Sequence, residues 1–281
     1  MHGYRLVSRA AIVRSIVLVA CLASCSKSET LETSQDPHGS KSALSMHGNA
    51  GAAAALEARK KLPSLTAFDA MLRDAVQPGG VDYAVVRKQR KVVDDLLAAI
   101  AAFDVESVDA VARLTLVINA HNAALLRIVL DDVLEDVLDG ERAAIGAVLF
   151  AKPALTFAGR EMSLDQLAAF GRALKDSRIH FALHRAMRSS PPLRDRAYEP
   201  HTLESDLDAV TQSFLASQYG AQIRERQVFV NDLFESSASD WGGEEGIKNF
   251  LRLHAPARVK EFLDAPLGYL VADTSLAALQ R

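Results

Sequence analysis

Cysteine is nearly missing from this chain. Its 281 residues hold two, Cys21 and Cys25, and both fall within the first 25 positions. Everything after Cys25 is free of thiols, so disulfides, cysteine nucleophiles and thiolate-held metals are excluded from the rest of the chain. Aromatic residues are scarce at 6%, with one tryptophan, Trp241, which reads as a packing anchor. Neither sign of charge dominates: 32 basic and 35 acidic side chains leave a net charge of -3. Without a basic excess, nucleic acid is not an expected partner. No G-x-S-x-G elbow occurs, and the only S-x-x-K match runs from Ser24 to Lys27. No internal repeat is visible. The hydrophobic fraction, 49%, is ample for a core.

The first 25 residues read as an export signal. Arg5, Arg9 and Arg14 make a positive start, and Ser15 to Ala23 is an apolar run too short to span a bilayer. The run ends in Leu22-Ala23-Ser24-Cys25, which resembles the lipobox of bacterial lipoproteins. That resemblance implies cleavage before Cys25 and acylation of its thiol, a palmitate-type anchor. Leu18-Val19-Ala20-Cys21 fits the same pattern with a shorter apolar run before it. The expected location is a bacterial envelope membrane facing the periplasm, the outer membrane by preference. The expected partners are that membrane, through Cys25, and a ligand or envelope protein of unspecified kind.

Residues 26–61 are rich in Ser, Gly, Ala and charge, and read as a flexible tether. Residues 62–281 are expected to form one globular domain. Helical apolar spacing is read over Thr66 to Val76, from an Asp82 cap to about Phe103, and from Ser107 or Asp109 to Gly140. It recurs from a Ser163 cap to Gly171, over Ile179 to Met187, and over Leu203 to Ser217. Glu244 to His254 and Ala257 to Leu263 complete the helices. Ala154 to Phe157, Gln227 to Val230 and Gly268 to Val271 are the strand candidates. The expected class is α+β, helix-rich with a few short strands.

Chemistry concentrates between Arg178 and Arg194, RIHFALHRAMRSSPPLR. On one continuous helix His180 and His184 would share a face at i and i+4, the spacing at which two imidazoles hold a metal. Phe181 stands where the zinc-protease pattern needs a glutamate, and a third ligand such as His121 or Asp240 would have to come from elsewhere. Ser190, before Pro191-Pro192, is a candidate nucleophile with His180 or His201 as its base, although a hydroxyl that caps the turn satisfies the same pattern. Asn119, His121 and Asn122 lie within the most apolar helix. They must cross-link the core by hydrogen bonds or line a polar pocket. Arg178, Arg185, Arg188, Arg194 and Arg196 form a local run of positive charge, readable as an anion-binding patch or as a face of scattered ion pairs. No cofactor and no assigned metal are expected.

Several of these segments carry a family pattern. Val81-Asp82-Tyr83, VINAHNA from Val117 to Ala123, RIHFAL from Arg178 to Leu183, SSPPL from Ser189 to Leu193, and Gly242 to Gly246 occur in order over about Gly80 to Leu276. In this the chain resembles the domain of unknown function 547 family. The family pattern has Cys where this chain has Ser190, often Cys at Arg185, Tyr at His121, an aromatic residue at Val117, and Lys-Trp-Tyr at Glu235-Ser236-Ser237. The resemblance implies a fold and a site location but no reaction. A histidine and cysteine pair, if the family uses one, has lost its thiol here. The expected function is therefore binding by a non-catalytic or divergent member. Its pocket would be formed by Asn119, His121, Asn122, His180, Arg185 and Ser190. The alternative is hydrolysis by Ser190 with His180, or at a metal held by His180 and His184.

Overall fold

Asp109 starts the helix on which the fold is built. Its carboxylate accepts from the Ala112 amide, and the helix runs Ala110–Ile128 before closing in a π turn, Val129–Val133. Leu114, Val117, Ile118, Leu125 and Leu126 are buried, and so are the positions between them, so this helix is enclosed on nearly every side. By length and composition Ala110–Val133 could cross a membrane, but 89% of its apolar window is buried inside the protein. That is the burial of a central core helix. The computed structural model describes residues 61–134 and 145–279. The expected signal peptide, Cys25, nearly all of the tether and the end of the helix read to Gly140 lie outside them.

Around this helix the described residues form the α+β arrangement expected, with helices carrying the core and three small sheets at its margins. Asp82 caps as expected, accepting from the Ala84 and Val85 amides, but the helix it opens is broken at Gln89 into Tyr83–Lys88 and Arg90–Ala101. Pro153–Phe157 pairs antiparallel with Arg160–Ser163, and Ser163 then caps Leu164–Arg172 through a reciprocal bond with Gln166. That helix lies close against the centre because residue 171 is glycine. A Cβ there would sit 2.4 Å from Ile179 Cδ1 and 2.8 Å from Val117 Cγ1.

The core has two parts. The larger surrounds the central helix, and the smaller is an aromatic cluster of Phe181, Phe214, Phe234 and Phe250 under Gln227–Val230. Phe181 stacks on Phe250 with ring centroids 5.6 Å apart and an 8° interplanar angle. Ile179 packs into the first part and Phe181 into the second, so the short helix Ile179–Ala182 straddles their junction. Ala221–Arg224, a strand the sequence did not announce, forms a hairpin with Gln227–Val230, and Gly268–Tyr269 pairs with the latter in parallel.

One expectation fails here. The helix read from Ile179 to Met187 ends at Ala182, and Leu183 is extended at φ -85°, ψ 101°. The cause is Asn122 on the central helix. Its Nδ2 donates to the Ala182 carbonyl at 3.0 Å and its Oδ1 accepts from the His184 amide at 3.0 Å. These side-chain bonds replace the helix's own, and the chain leaves as a loop. The C-terminal segment clamps that loop: Ala277 N–H donates to the Ala186 carbonyl at 2.7 Å, and Arg188 N–H to Ser275 at 2.9 Å. On its other side the segment meets Gly80, where a Cβ would lie 2.7 Å from the Ala278 carbonyl carbon.

Candidate functional site

Because the helix ends at Ala182, His180 and His184 do not share a face. His180, with a side chain 10% exposed, donates from Nε2 to Asp240 Oδ2 at 3.0 Å. Arg172 Nε meets the same carboxylate oxygen at 3.0 Å. Trp241 lies against the imidazole, ring centroids 4.5 Å apart, and joins it to the aromatic cluster through Phe234 and Phe250. Burial pushes the His180 pKa down to about 4, outweighing the Asp240 charge, which raises it. The ring is neutral near pH 7, and with its proton facing Asp240 its Nδ1 is the form that accepts.

His180 lines a cleft of about 190 Å³, together with His121, Arg185, Ser189, Ser190 and Asp232. Burial lowers the His121 pKa to about 3, against a hydrogen bond from Nδ1 to Asn122 Oδ1 at 3.4 Å that raises it. Arg185 stacks its guanidinium 4.5 Å over the Phe150 ring. It has no ion-pair partner among the described residues, and its Nε is buried without a hydrogen-bond partner. Burial raises the Asp232 carboxyl, an effect that Arg185 opposes.

The candidates from the sequence divide cleanly. His121, His180, Arg185 and Ser190 line one cleft. Asn119 and Asn122 do not. Asn119 bonds Thr115 and the Tyr198 backbone, and Asn122 bonds Ala182 and His184, so each ties a distant loop to the central helix. The Ser190 hydroxyl donates to the Met187 carbonyl at 2.7 Å, the turn-capping arrangement, and no hydrogen bond joins it to His180. His184 donates from Nδ1 to the Pro191 carbonyl at 2.8 Å, so the two imidazoles serve different partners. Among the described residues no group of three or more His, Cys, Asp or Glu is disposed to hold a metal. The arginine run is mostly spoken for: Arg178 binds Asp176, Glu204 and Asp208, Arg194 binds Asp206, and Arg196 approaches Asp195 at 3.9 Å. Arg185 and Arg188 are left without an ion-pair partner among the described residues.

Sequence reasoning missed Arg172, Asn231 and Asp232, and considered Asp240 only as one possible third metal ligand, whereas it bonds His180. Asn231 donates to the Ser189 and Tyr219 carbonyls at 2.9 and 3.0 Å, which fixes the cleft's floor to the end of a strand. An Asn-Asp pair directly after an apolar strand was the available signal. Another signal was stronger. Four places where the chain departs from the family pattern line this one cleft: His121, Arg185, Ser190 and Ser236-Ser237. The fifth, Val117, is buried in the core against Gly171.

No curated protein and no solved structure matches this chain. A family model does match, over residues 105–215, a narrower span than the motifs cover but one that contains the central helix, His180, Arg185 and Ser190. Over that segment the chain is similar to the family described as Protein of unknown function, DUF547.

Proposed function

We propose that this is a lipid-anchored, periplasm-facing binding protein whose cleft holds a small polar ligand by an anionic group. The observation that carries the reading is Arg185, a guanidinium that lines the cleft with a buried, unpartnered Nε and no carboxylate in ion-pair range among the described residues. A bidentate anion would satisfy it, and the neutral imidazoles of His121 and His180 accept hydrogen bonds from the same ligand's donors. The anchor rests on Leu22-Ala23-Ser24-Cys25. Binding is favoured over acyl transfer because the Ser190 hydroxyl is committed to a backbone carbonyl and is not hydrogen-bonded to any imidazole among the described residues. Thermal-shift screening of small carboxylates and phosphates tests the cleft: stabilisation that disappears in Arg185→Gln supports it, and a panel without effect removes it. Fractionation of cells making the protein and its Cys25→Ser variant tests the anchor, which predicts release from membranes only in the variant.

A second reading is supported by the His180 and Asp240 pair. An imidazole oriented by a carboxylate, itself held by Arg172, is the arrangement of a general base. In that reading Ser190 turns from Met187 towards His180 to attack an ester or peptide. Hydrolysis of a substrate panel, lost equally in His180→Ala and Ser190→Ala, would favour it over binding alone.

A further inference from the structure

The loop that follows Ala182 has a cavity on each side, and Met187 and Ser190 belong to the walls of both. The second cavity, about 410 Å³, is mainly apolar, with Val76, Val81, Leu193 and Phe214 in its wall. Among the described residues no aspartate or glutamate lines it, while His184 and Arg188 do. Arg188 has no ion-pair partner among the described residues, and its Nε is buried without a hydrogen bond. His184 is 2% exposed, and its Nδ1 donates to the Pro191 carbonyl at 2.8 Å. Burial lowers its pKa to about 4, so near neutral pH the remaining nitrogen carries a lone pair. That nitrogen, Nε2, is buried with no partner. Native structures rarely leave a buried acceptor and a buried guanidinium N–H unmatched around one apolar space.

We propose that this second cavity binds a small amphipathic carboxylate. Its apolar body lies against Leu193 and Phe214, its carboxylate meets Arg188, and an N–H or O–H donor beside the carboxylate meets His184 Nε2. The ligand class follows from the three unmet features together. A simple fatty acid lacks the donor, and an uncharged lipid leaves Arg188 unpaired. The site is separate from the Arg185 cleft, and either can fail without the other.

Calorimetric titration of the full-length chain tests this with N-acetyl-leucine as the N–H probe and 2-hydroxy-4-methylpentanoate as the O–H probe. Each is compared with its amide, and both with 4-methylpentanoate, which has no donor. The acids are expected to bind about tenfold or more tighter than their amides, as a charge-assisted bond requires. The acid lacking a donor is expected to bind several-fold more weakly. Arg188→Gln removes the preference for acid over amide, and Arg185→Gln leaves it intact. Whichever of the two donor probes binds tighter identifies the donor. Equal binding of acid and amide, an unchanged preference in Arg188→Gln, or no binding of any probe overturns the proposal. The comparison of acid with amide on the unaltered protein decides even if Arg188→Gln does not fold.

Discussion

His180 and His184 are four residues apart and belong to different cavities: His180 donates to Asp240 at 3.0 Å, and His184 donates to the Pro191 carbonyl at 2.8 Å. A continuous helix would have put both imidazoles on one face. The side chain of Asn122 separates them by capturing the Ala182 carbonyl and the His184 amide. One residue of the central helix therefore sets the geometry of both sites.

Replacing that residue should be costly. Asn122→Ala leaves a buried carbonyl and a buried amide without partners, at roughly 1–3 kcal/mol for each orphaned group. Urea unfolding should show a lower midpoint with an unchanged slope. A variant as stable as the parent would mean that the loop is held by the C-terminal clamp alone.

Phe181→Ala should cost more, about 3–5 kcal/mol. The ring is 1% exposed and touches Phe214, Phe234 and Phe250, so its removal empties the middle of the smaller core. Thermal unfolding reads the loss directly. Because Trp241 packs against Phe234 and Phe250, its fluorescence should change as well.

Stability should fall on acidification. Burial holds His180 and His184 near pKa 4 and His121 near 3, whereas each titrates at about 6.5 in the unfolded chain. Between those values the unfolded state binds more protons than the native one, so stability rises with pH in that window. It is complete above about pH 6.5 and declines as pH drops towards the folded values, by about 1.4 kcal/mol per pH unit for each histidine. Urea midpoints measured across this range should slope, and His184→Gln should flatten the slope. A flat profile in the parent would show that the rings take up protons in the fold as readily as in the unfolded chain.

Ser190→Cys introduces a thiol where the family pattern has one. It is expected to react slowly with alkylating reagents at neutral pH. The residue is 7% exposed, and the present hydroxyl points at the Met187 carbonyl with no base bonded to it. Rapid alkylation, with a pH profile set by His180, would instead revive the hydrolytic reading.

Much of the framework was legible in the residues. Asp82 and Ser163 were readable as caps, and Asp109 as one of two candidates with Ser107, because a cap is a contact within a few residues of chain. The central helix was readable because apolar spacing persists over five turns. The break at Gln89 and the early stop at Ala182 were not, since helical spacing continues through both. Asp240 lies 60 residues from His180 in sequence, and nothing local in the chain brings it to His180 and Arg172.

The sequence by itself determined the α+β class, the absence of thiols after Cys25, and the concentration of polar and basic side chains within Arg178 to Arg194, because composition, periodicity and motifs are properties of nearby residues. The tertiary structure alone decided how that segment is used. It paired three of the five arginines with acids, left Arg185 and Arg188 in separate cavities without an ion-pair partner among the described residues, and put the two histidines of one apparent pair in different cavities. The reason is that a buried polar group must find its partner wherever the fold supplies one, and here the partner is Asn122, 60 or more residues away along the chain.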